Sequence, residues 1–433
     1  TPGLSTLLTL AGGEFRGCLT ASNGQLFAVG GTKLYRISSS WAATELGTLS
    51  TSTGPISMAD NGLQVMIVDG PNGYVWTIGA ATFAQITDPD FPGANQVSFV
   101  DGYFIFDVPN SGQFMITGLT AVTVDALDLA TSEGKPDPLM GHIALNREIL
   151  MLNEKSGEVF YNTGNADFPF ERVQGGFFET GCAARFSVAK GDGHVFFLGQ
   201  DENGTGIVYV WSGGATVQRI STHAVEYSIR QFTSFSDAEG YCYQEEGHLF
   251  YALNFPTGDT TWCFDLSTKF WHERTYSNDG ALERHRGRFH AFAHGKHIVG
   301  DYENGKIYEL SSSIYTDAGA PITRRRRSPH VSANGKRVQY KEFLLDIETG
   351  VGLDGATSTQ GNDPQVMLRF SKDGGHTWSN EKWKSFGKIG ERYVRPKWNN
   401  LGMARDMIFD ITITDPVKVV IVGADLELER MAS

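Results

Sequence analysis

The feature that most constrains how this chain can fold is an internal repeat. A short apolar strand, a turn rich in Asn, Asp and Gly, a second strand, another Gly turn and a third strand ending in Tyr or Trp recur along the first three hundred residues. The copies are "CLTASNGQLFAVGGTKLYRI" (18–37), "ISMADNGLQVMIVDGPNGYVWTI" (56–78), "VSFVDGYFIFDVPNSGQFMI" (97–116), "HIALNREILMLNEKSGEVFY" (142–161), "FSVAKGDGHVFFLGQDENGTGIVYV" (186–210), "YCYQEEGHLFYALNFPTGDTTWCFDL" (241–266) and "FHAFAHGKHIVGDYENGKIYEL" (289–310). Their second strands are expected to begin near 24, 62, 102, 148, 193, 247 and 295, with separations of 38, 40, 46, 45, 54 and 48 residues. A period in the forties, with three strands visible and room for an outer fourth, is what a β-propeller blade requires.

Composition agrees. The 51 Gly, 28 Phe and 15 Tyr among 433 residues suit many short strands joined by tight turns, and helical patterning is hard to find. Inner segments read as nearly continuous apolar runs, as expected when both faces of a strand are buried, whereas outer segments such as "ATFAQIT" alternate. The fold class expected is all-β: a propeller of about seven blades over residues 1–313, followed by a β-sandwich-like domain over 314–433. Six or eight blades remain open, because the first copy can complete the last blade. Beyond "YELSSS" the texture changes to a polar connector, the run "RRRRSPH", and longer alternating strands such as "YKEFLLDIE" and "DMIFDITIT".

The net charge of −13 argues against a protein that wraps nucleic acid by neutralising phosphates, although DNA can still slide past it. The four cysteines, Cys18, Cys182, Cys242 and Cys263, form no C-x-x-C pair and are expected as buried free thiols; the alternative is a disulfide between Cys242 and Cys263, should they face each other on neighbouring strands. No run reaches the ~18 apolar residues of a membrane span. The opening "TPGLSTLLTLAGG" lacks a positive n-region and an initiator Met, and reads as the interior of a longer chain rather than as a signal peptide.

Four motifs carry candidate chemistry. "SKDGGHTW" matches the Asp-box pattern S-x-D-x-G-x-T-W found on sialidase blades. Asp373, Gly374 and Gly375 supply a tight turn, Ser371 and Thr377 close it with their hydroxyls, and Trp378 offers an apolar face to the sheet below. Every one of these roles is structural, and the box lies once, in the C-terminal domain. A sialidase further needs converging arginines and paired acids, and no pattern ties Arg16, Arg36, Arg147, Arg172, Arg185, Arg219 and Arg230 together. His285, His290, His294 and His297 are metal-ligand candidates by type. Along a strand, His290 and His294 share a face while His297 lies beyond the "HGK" turn, so partly exposed imidazoles on an inner strand are expected, with no metal and no cofactor. "GDYENG" resembles a calcium loop superficially and reads as a hairpin turn. Arg324, Arg325, Arg326 and Arg327 form the one dense positive cluster. Extended, they point two guanidiniums to each side, suiting a strand that docks on acidic groups or carbonyls of a neighbouring subunit, a solvated connector or a phosphate contact. As exposed charges, all four are expected to be replaceable with little change in stability.

The stretches "GRFHAFAHGKHIVGDYENGKIYEL", "APITRRRRSPHV", "LLDIETGVGL", "VMLRFSKDGGHTWSNE" and "LGMARDMIFDITITDPVKVVIVGADLELE" resemble the packaged-DNA stabilisation proteins of short-tailed phages, also called tail hub or nozzle proteins. The resemblance is most specific from about residue 285 onward, and the family usually has a stretch upstream of the "PGL" at Pro2–Leu4. It implies a non-enzymatic virion protein of the phage tail, assembled in the bacterial host cytoplasm as a ring, six-fold in the best-known cases, beneath the portal and adaptor. Such a ring continues the DNA channel without binding duplex DNA tightly, supports tail spikes or fibres, and in some phages seats a tail needle. The rival reading from the residues is a carbohydrate-binding or glycan-degrading propeller.

Overall fold

In a computed structural model, which describes residues 2–132, 134–202, 204–278, 280–354 and 360–430, the second strands of the seven repeats begin at Leu26, Gln64, Tyr103, Glu148, His194, His248 and Lys296. Each lies second in its own sheet, antiparallel to both neighbours, and these sheets are the blades of a propeller. The first runs Phe15–Thr20, Leu26–Gly30, Lys33–Ile37 and Ala43–Thr48 in that order, and the third runs Val97–Val100, Tyr103–Asp107, Gln113–Thr117 and Val124–Thr131. The apolar runs follow from burial of both faces. In Tyr103–Asp107, Phe104 and Phe106 join a cluster shared with the second blade, whereas Ile105 between them joins a cluster shared with the fourth. Outer strands such as Ala43–Thr48 and Thr82–Gln85 are largely exposed.

The last blade, Gly287–Ala293, Lys296–Asp301 and Lys306–Ser311, takes its fourth strand from the other end of the chain, Gly3–Thr9. The Leu10 N–H continues the closure by donating to the Gly305 carbonyl at 2.7 Å. The first repeat copy therefore builds its own blade, and the segment before it completes the ring, which gives seven. Two elements escape the repeat. The fifth blade's inner strand is broken into Gly181–Cys182 and Ala189–Gly191 around a 3-10 turn, Arg185–Ser187. A helix, His223–Arg230, is started by Thr222, whose hydroxyl accepts from the Val225 N–H, and it packs Val225 and Ile229 inward.

Residues from Thr6 to Thr275 and Glu283 to Leu310 form one compact unit; the residues after Leu310, with Tyr276–Leu282 and the first few residues, form the other. The second unit contains a sandwich of two sheets. One has the order Arg324–Arg327, Asp406–Ile413, Gln365–Ser371, Lys382–Ser385, and the other Lys397–Ala404, Val338–Ile347, Ile421–Arg430. A bulge between Tyr340 and Glu342 resets the alternation, so that Tyr340, Phe343 and Leu345 all meet Leu368, Phe409 and Ile411 in the core. The four cysteines are free thiols; Cys242 and Cys263 flank the strand His248–Phe255 from opposite sides, opposite Tyr251 and Ala252.

Inner strands of the propeller approach so closely that some positions admit no side chain. At Gly300 a Cβ would lie 1.9 Å from Cγ of the buried Phe15. Gly300→Ala is expected to destabilise the propeller by about 2 kcal/mol or more through overpacking, measured as a lowered denaturant midpoint with unchanged slope; a midpoint equal to wild type contradicts this packing.

Candidate functional site

Two sequence motifs separated by more than forty residues share one outer face of the sandwich. The strand Arg324–Arg327 pairs antiparallel with Asp406–Ile413, with Arg325 opposite Thr412 and Arg327 opposite Asp410. On the other flank, Gln365–Ser371 places Arg369 opposite the same Asp410. Residues directly opposite across a ladder point the same way, so three arginines surround one carboxylate. Arg325 donates from Nε to both Asp410 oxygens at 2.9 Å and from Nη2 to Oδ2; Arg369 donates from Nη2 at 3.2 Å, and the Arg327 Nη2 lies at 3.5 Å. Asp410 is 1% exposed. Burial alone pushes its carboxyl up, but the Arg325 hydrogen bonds and the charges of Arg325 and Arg327 outweigh it and hold the group below the usual carboxylate range.

The remaining arginines divide. Arg324 donates to the carbonyls of Asp415 at 2.9 Å and Tyr315 at 3.3 Å, whereas Arg326 is exposed. Expected as a set of four free surface charges, the run instead has Arg325 and Arg327 neutralising a buried acid of their own chain, because alternation along the strand delivers both to Asp410.

The Asp box forms the adjoining loop. The Ser371 hydroxyl donates to Asp373 Oδ1 at 2.7 Å and accepts from the Gly375 N–H at 2.8 Å; the Thr377 N–H donates to Asp373 Oδ1 at 2.9 Å, and its hydroxyl to Oδ2 at 2.5 Å. Gly374 and Gly375 take positive φ, 73° and 95°. The Thr377 hydroxyl and N–H, then Ser371, hold the Asp373 carboxyl well below its ordinary range. Trp378 donates Nε1–H to the Gly375 carbonyl at 3.0 Å, and the guanidiniums of Arg327 and Arg369 lie 4.7 and 5.7 Å from its ring centroid. The Asp373 carboxylate thus spends its bonds to Ser371 and Thr377 on holding the turn. The sequence signal for the partners was faint: Asp410 is the one acid interrupting the apolar alternation of "MIFDITIT", and Arg369 lies two residues before the box.

The other candidates do not converge. Of the propeller arginines, Arg16 is held by the carbonyls of Gly31, Thr51 and Gly54, Arg147 by Asp101, Arg172 by Glu158 and Arg185 by Asp107, while Arg219 and Arg230 share Glu226. Among the histidines, the pair that meets is His290 and His297, 3.0 Å apart, because the hairpin turning at His294 and Gly295 folds the second onto the first; His294 faces the Ile37 carbonyl instead. Among the described residues no group of three or more His, Cys, Asp or Glu is placed to hold a metal. In "GDYENG", Asp301 accepts from the Glu303 N–H and Asn304 from the Lys306 N–H, closing a hairpin.

Replacing Arg325 and Arg327 together with Gln is expected to destabilise the sandwich by about 1–3 kcal/mol, discounted for their partial exposure, because Asp410 stays buried with one cation. Arg326→Gln is expected to stay within about 0.5 kcal/mol. Since the folded-state pKa of Asp410 is depressed, its contribution is complete above the unfolded value of about 3.9 and is lost as pH falls through the folded value. The wild-type advantage over the double variant should therefore shrink below about pH 4 in urea titrations. Asp373→Ala is expected to lower the denaturant midpoint of the sandwich and to alter no glycosidase activity; hydrolysis of a sialoside by the wild type that this substitution abolishes contradicts the structural role.

The family described as bacteriophage P22 Gp10, beta-propeller, matches residues 1–315, and that described as bacteriophage P22 Gp10, beta-sandwich, matches residues 323–429. No curated protein matches the sequence. Among solved structures, the chain is similar to the β-propeller domain of Cps50 (Swd1) from Myceliophteria thermophila, at 10% identity and a TM-score of 0.47 over 72% of this chain and 100% of that one. It is also similar to the WD40 β-propeller domain of Doa1, at 12% identity and a TM-score of 0.44 over 72% and 97%. With the two descriptions matching in order along the propeller and the sandwich, the chain belongs to the bacteriophage P22 Gp10 family, the structural proteins that stabilise packaged DNA in the tail hub of short-tailed phages.

Proposed function

We propose that this chain works without catalysis, as a subunit of a ring, six-fold, below the portal and adaptor of the virion. In this reading the ring extends the DNA channel, carries tail spikes or fibres and any tail needle, and assembles in the host cytoplasm. Residues 1–313 act as the rigid propeller body and 314–433 as a sandwich whose Arg324–Arg327 face takes part in assembly. The observation that carries the reading beyond the family is charge: at −13 the chain repels a polyanion, so DNA is retained mechanically, by a narrowed and plugged passage, rather than by phosphate binding.

The propeller's own axis supports the same division of labour. The cavity among its inner strands, lined by Gly17–Thr20, Lys190, Gly240–Cys242 and Phe289–Phe292, has a volume of about 390 Å³. That is room for roughly a dozen waters at ~30 Å³ each, far too little for a duplex. Phe186, on the turn that breaks the fifth inner strand, packs its ring 6.5 Å from that of Phe289 of the seventh blade. DNA therefore runs outside each propeller, in a passage that several copies enclose. The sandwich face supplies a docking surface of the opposite sign, three arginines about a single carboxylate on an acidic chain, suited to acidic groups of protein partners.

Particles assembled without this protein are expected to package DNA and then leak it, and adding the purified protein to freshly filled particles should stop the leak. The free protein should shift duplex DNA no more than an unrelated acidic protein across a salt series. Retention without the protein sinks the assignment, and tight, salt-sensitive binding by the isolated chain sinks the mechanical account.

A further inference from the structure

Six hydrophobic clusters fill the spaces between successive blades, from the seventh and first round to the fifth and sixth. Between the sixth and seventh blades the described residues form no such cluster. That layer is built from tyrosine, histidine and arginine: Tyr243 of one blade lies with its ring 6.0 Å from His290 and 5.9 Å from His297 of the next. At its centre is Arg274, 2% exposed. Its Nη2 donates to the Tyr243 hydroxyl and its Nε to His272 Nε2 at 3.3 Å, and it lies 5.2 and 5.5 Å from the ring centroids of Tyr243 and Phe250. No carboxylate is among these partners. Three acids of these blades have other partners: Glu239 makes two bonds to Arg288, Asp265 accepts from Thr268 and pairs with His248, and Asp301 accepts from Tyr308 and the Glu303 N–H; Glu245, on the face of Tyr243, acts on His297. A buried guanidinium without a counter-charge is costly.

Three buried polar atoms around this cation have no protein partner: Nη1 of Arg274, Oη of Tyr241 and Nε2 of His285. All three are donors. The His285 Nδ1 accepts from the Gly287 N–H at 3.1 Å, which puts the ring proton on Nε2. Burial, then the charge of Arg274, push the His285 pKa down to about 3, so the imidazole is neutral. Strand register brings the groups together. Arg274 lies opposite Thr261, whose hydroxyl accepts from the His285 N–H at 3.1 Å, and Tyr241 shares that face of the sheet. A guanidinium N–H, a phenol O–H and an imidazole N–H, with no acceptor assigned to any of them, call for an acceptor that also carries negative charge.

We propose that the layer between the sixth and seventh blades holds a halide-sized monoanion, chloride in ordinary solution, bound by Arg274, Tyr241 and His285. Its binding completes the one inter-blade space that lacks an aliphatic core, and so couples the stability of the closed ring to anion concentration.

With purified full-length protein at constant ionic strength, replacing gluconate by chloride is expected to raise the thermal midpoint along a saturating curve. Bromide should do the same, and in a crystal it should give an anomalous peak within hydrogen-bond reach of Arg274 Nη1. Tyr241→Phe, which removes only a hydroxyl that bonds to no protein group, should stay folded and need about tenfold more halide for the same effect. Arg274→Met, if it folds, should lose the dependence. Equal midpoints in gluconate and chloride, a halide curve in Tyr241→Phe identical to wild type, or bromide found on the surface alone would each overturn the proposal.

Discussion

Ring closure is the constraint on which the rest of the propeller depends. A blade with apolar residues on both faces is stable only between two neighbours, so the series cannot end; it must return to its start. The pairing of Gly3–Thr9 with Lys306–Ser311 provides that return, and the hydrophobic layer shared by the seventh and first blades, with Phe15, Ile298 and Ile307 at its centre, forms only when the pairing is in place. The close approach of Gly300 to Phe15 belongs to the same layer: the two ends meet at side-chain contact, without slack.

The sandwich obeys different physics. Its core needs only two facing sheets, and its outer faces are free to carry polar groups. One such face concentrates three guanidiniums on Asp410 and stacks two of them on Trp378, so that the turn geometry of the Asp box and the charge of the arginine strand stabilise each other. A motif associated with enzymes thus serves here as a wall against which arginines are ordered. Ordered guanidiniums lose less freedom on meeting a partner than free ones do, which suits this face to the docking role proposed for it.

Much of this was legible in the sequence, for stated physical reasons. The repeat set the blades, and all seven second strands were expected within two residues of where they begin, because turn chemistry and apolar runs are local signals. The hydrogen bonds of Ser371, Asp373 and Thr377 were readable because they form within one turn. Convergence was not. Nothing local to Arg325 names Asp410, 85 positions later, and nothing local to Arg274 names His285 and Tyr241; such meetings are fixed by strand register, which is not a local signal. The helix His223–Arg230 was missed because a single capped turn pair, Val225 and Ile229, leaves too short a periodic signal beside so many strands.

The strand that closes the ring also sets an order of events in synthesis. Gly3–Thr9 leaves the ribosome about 300 residues before its partner Lys306–Ser311, a delay of roughly 15 to 60 s at ~5–20 residues per second. Throughout that interval the inner blades stack in sequence, while the first blade keeps the face meant for the seventh exposed. The nascent propeller is an open stack with a sticky end, and at high expression two such stacks can exchange terminal strands before either closes. The open stack therefore places a hazard of this fold in translation, before the last blade arrives.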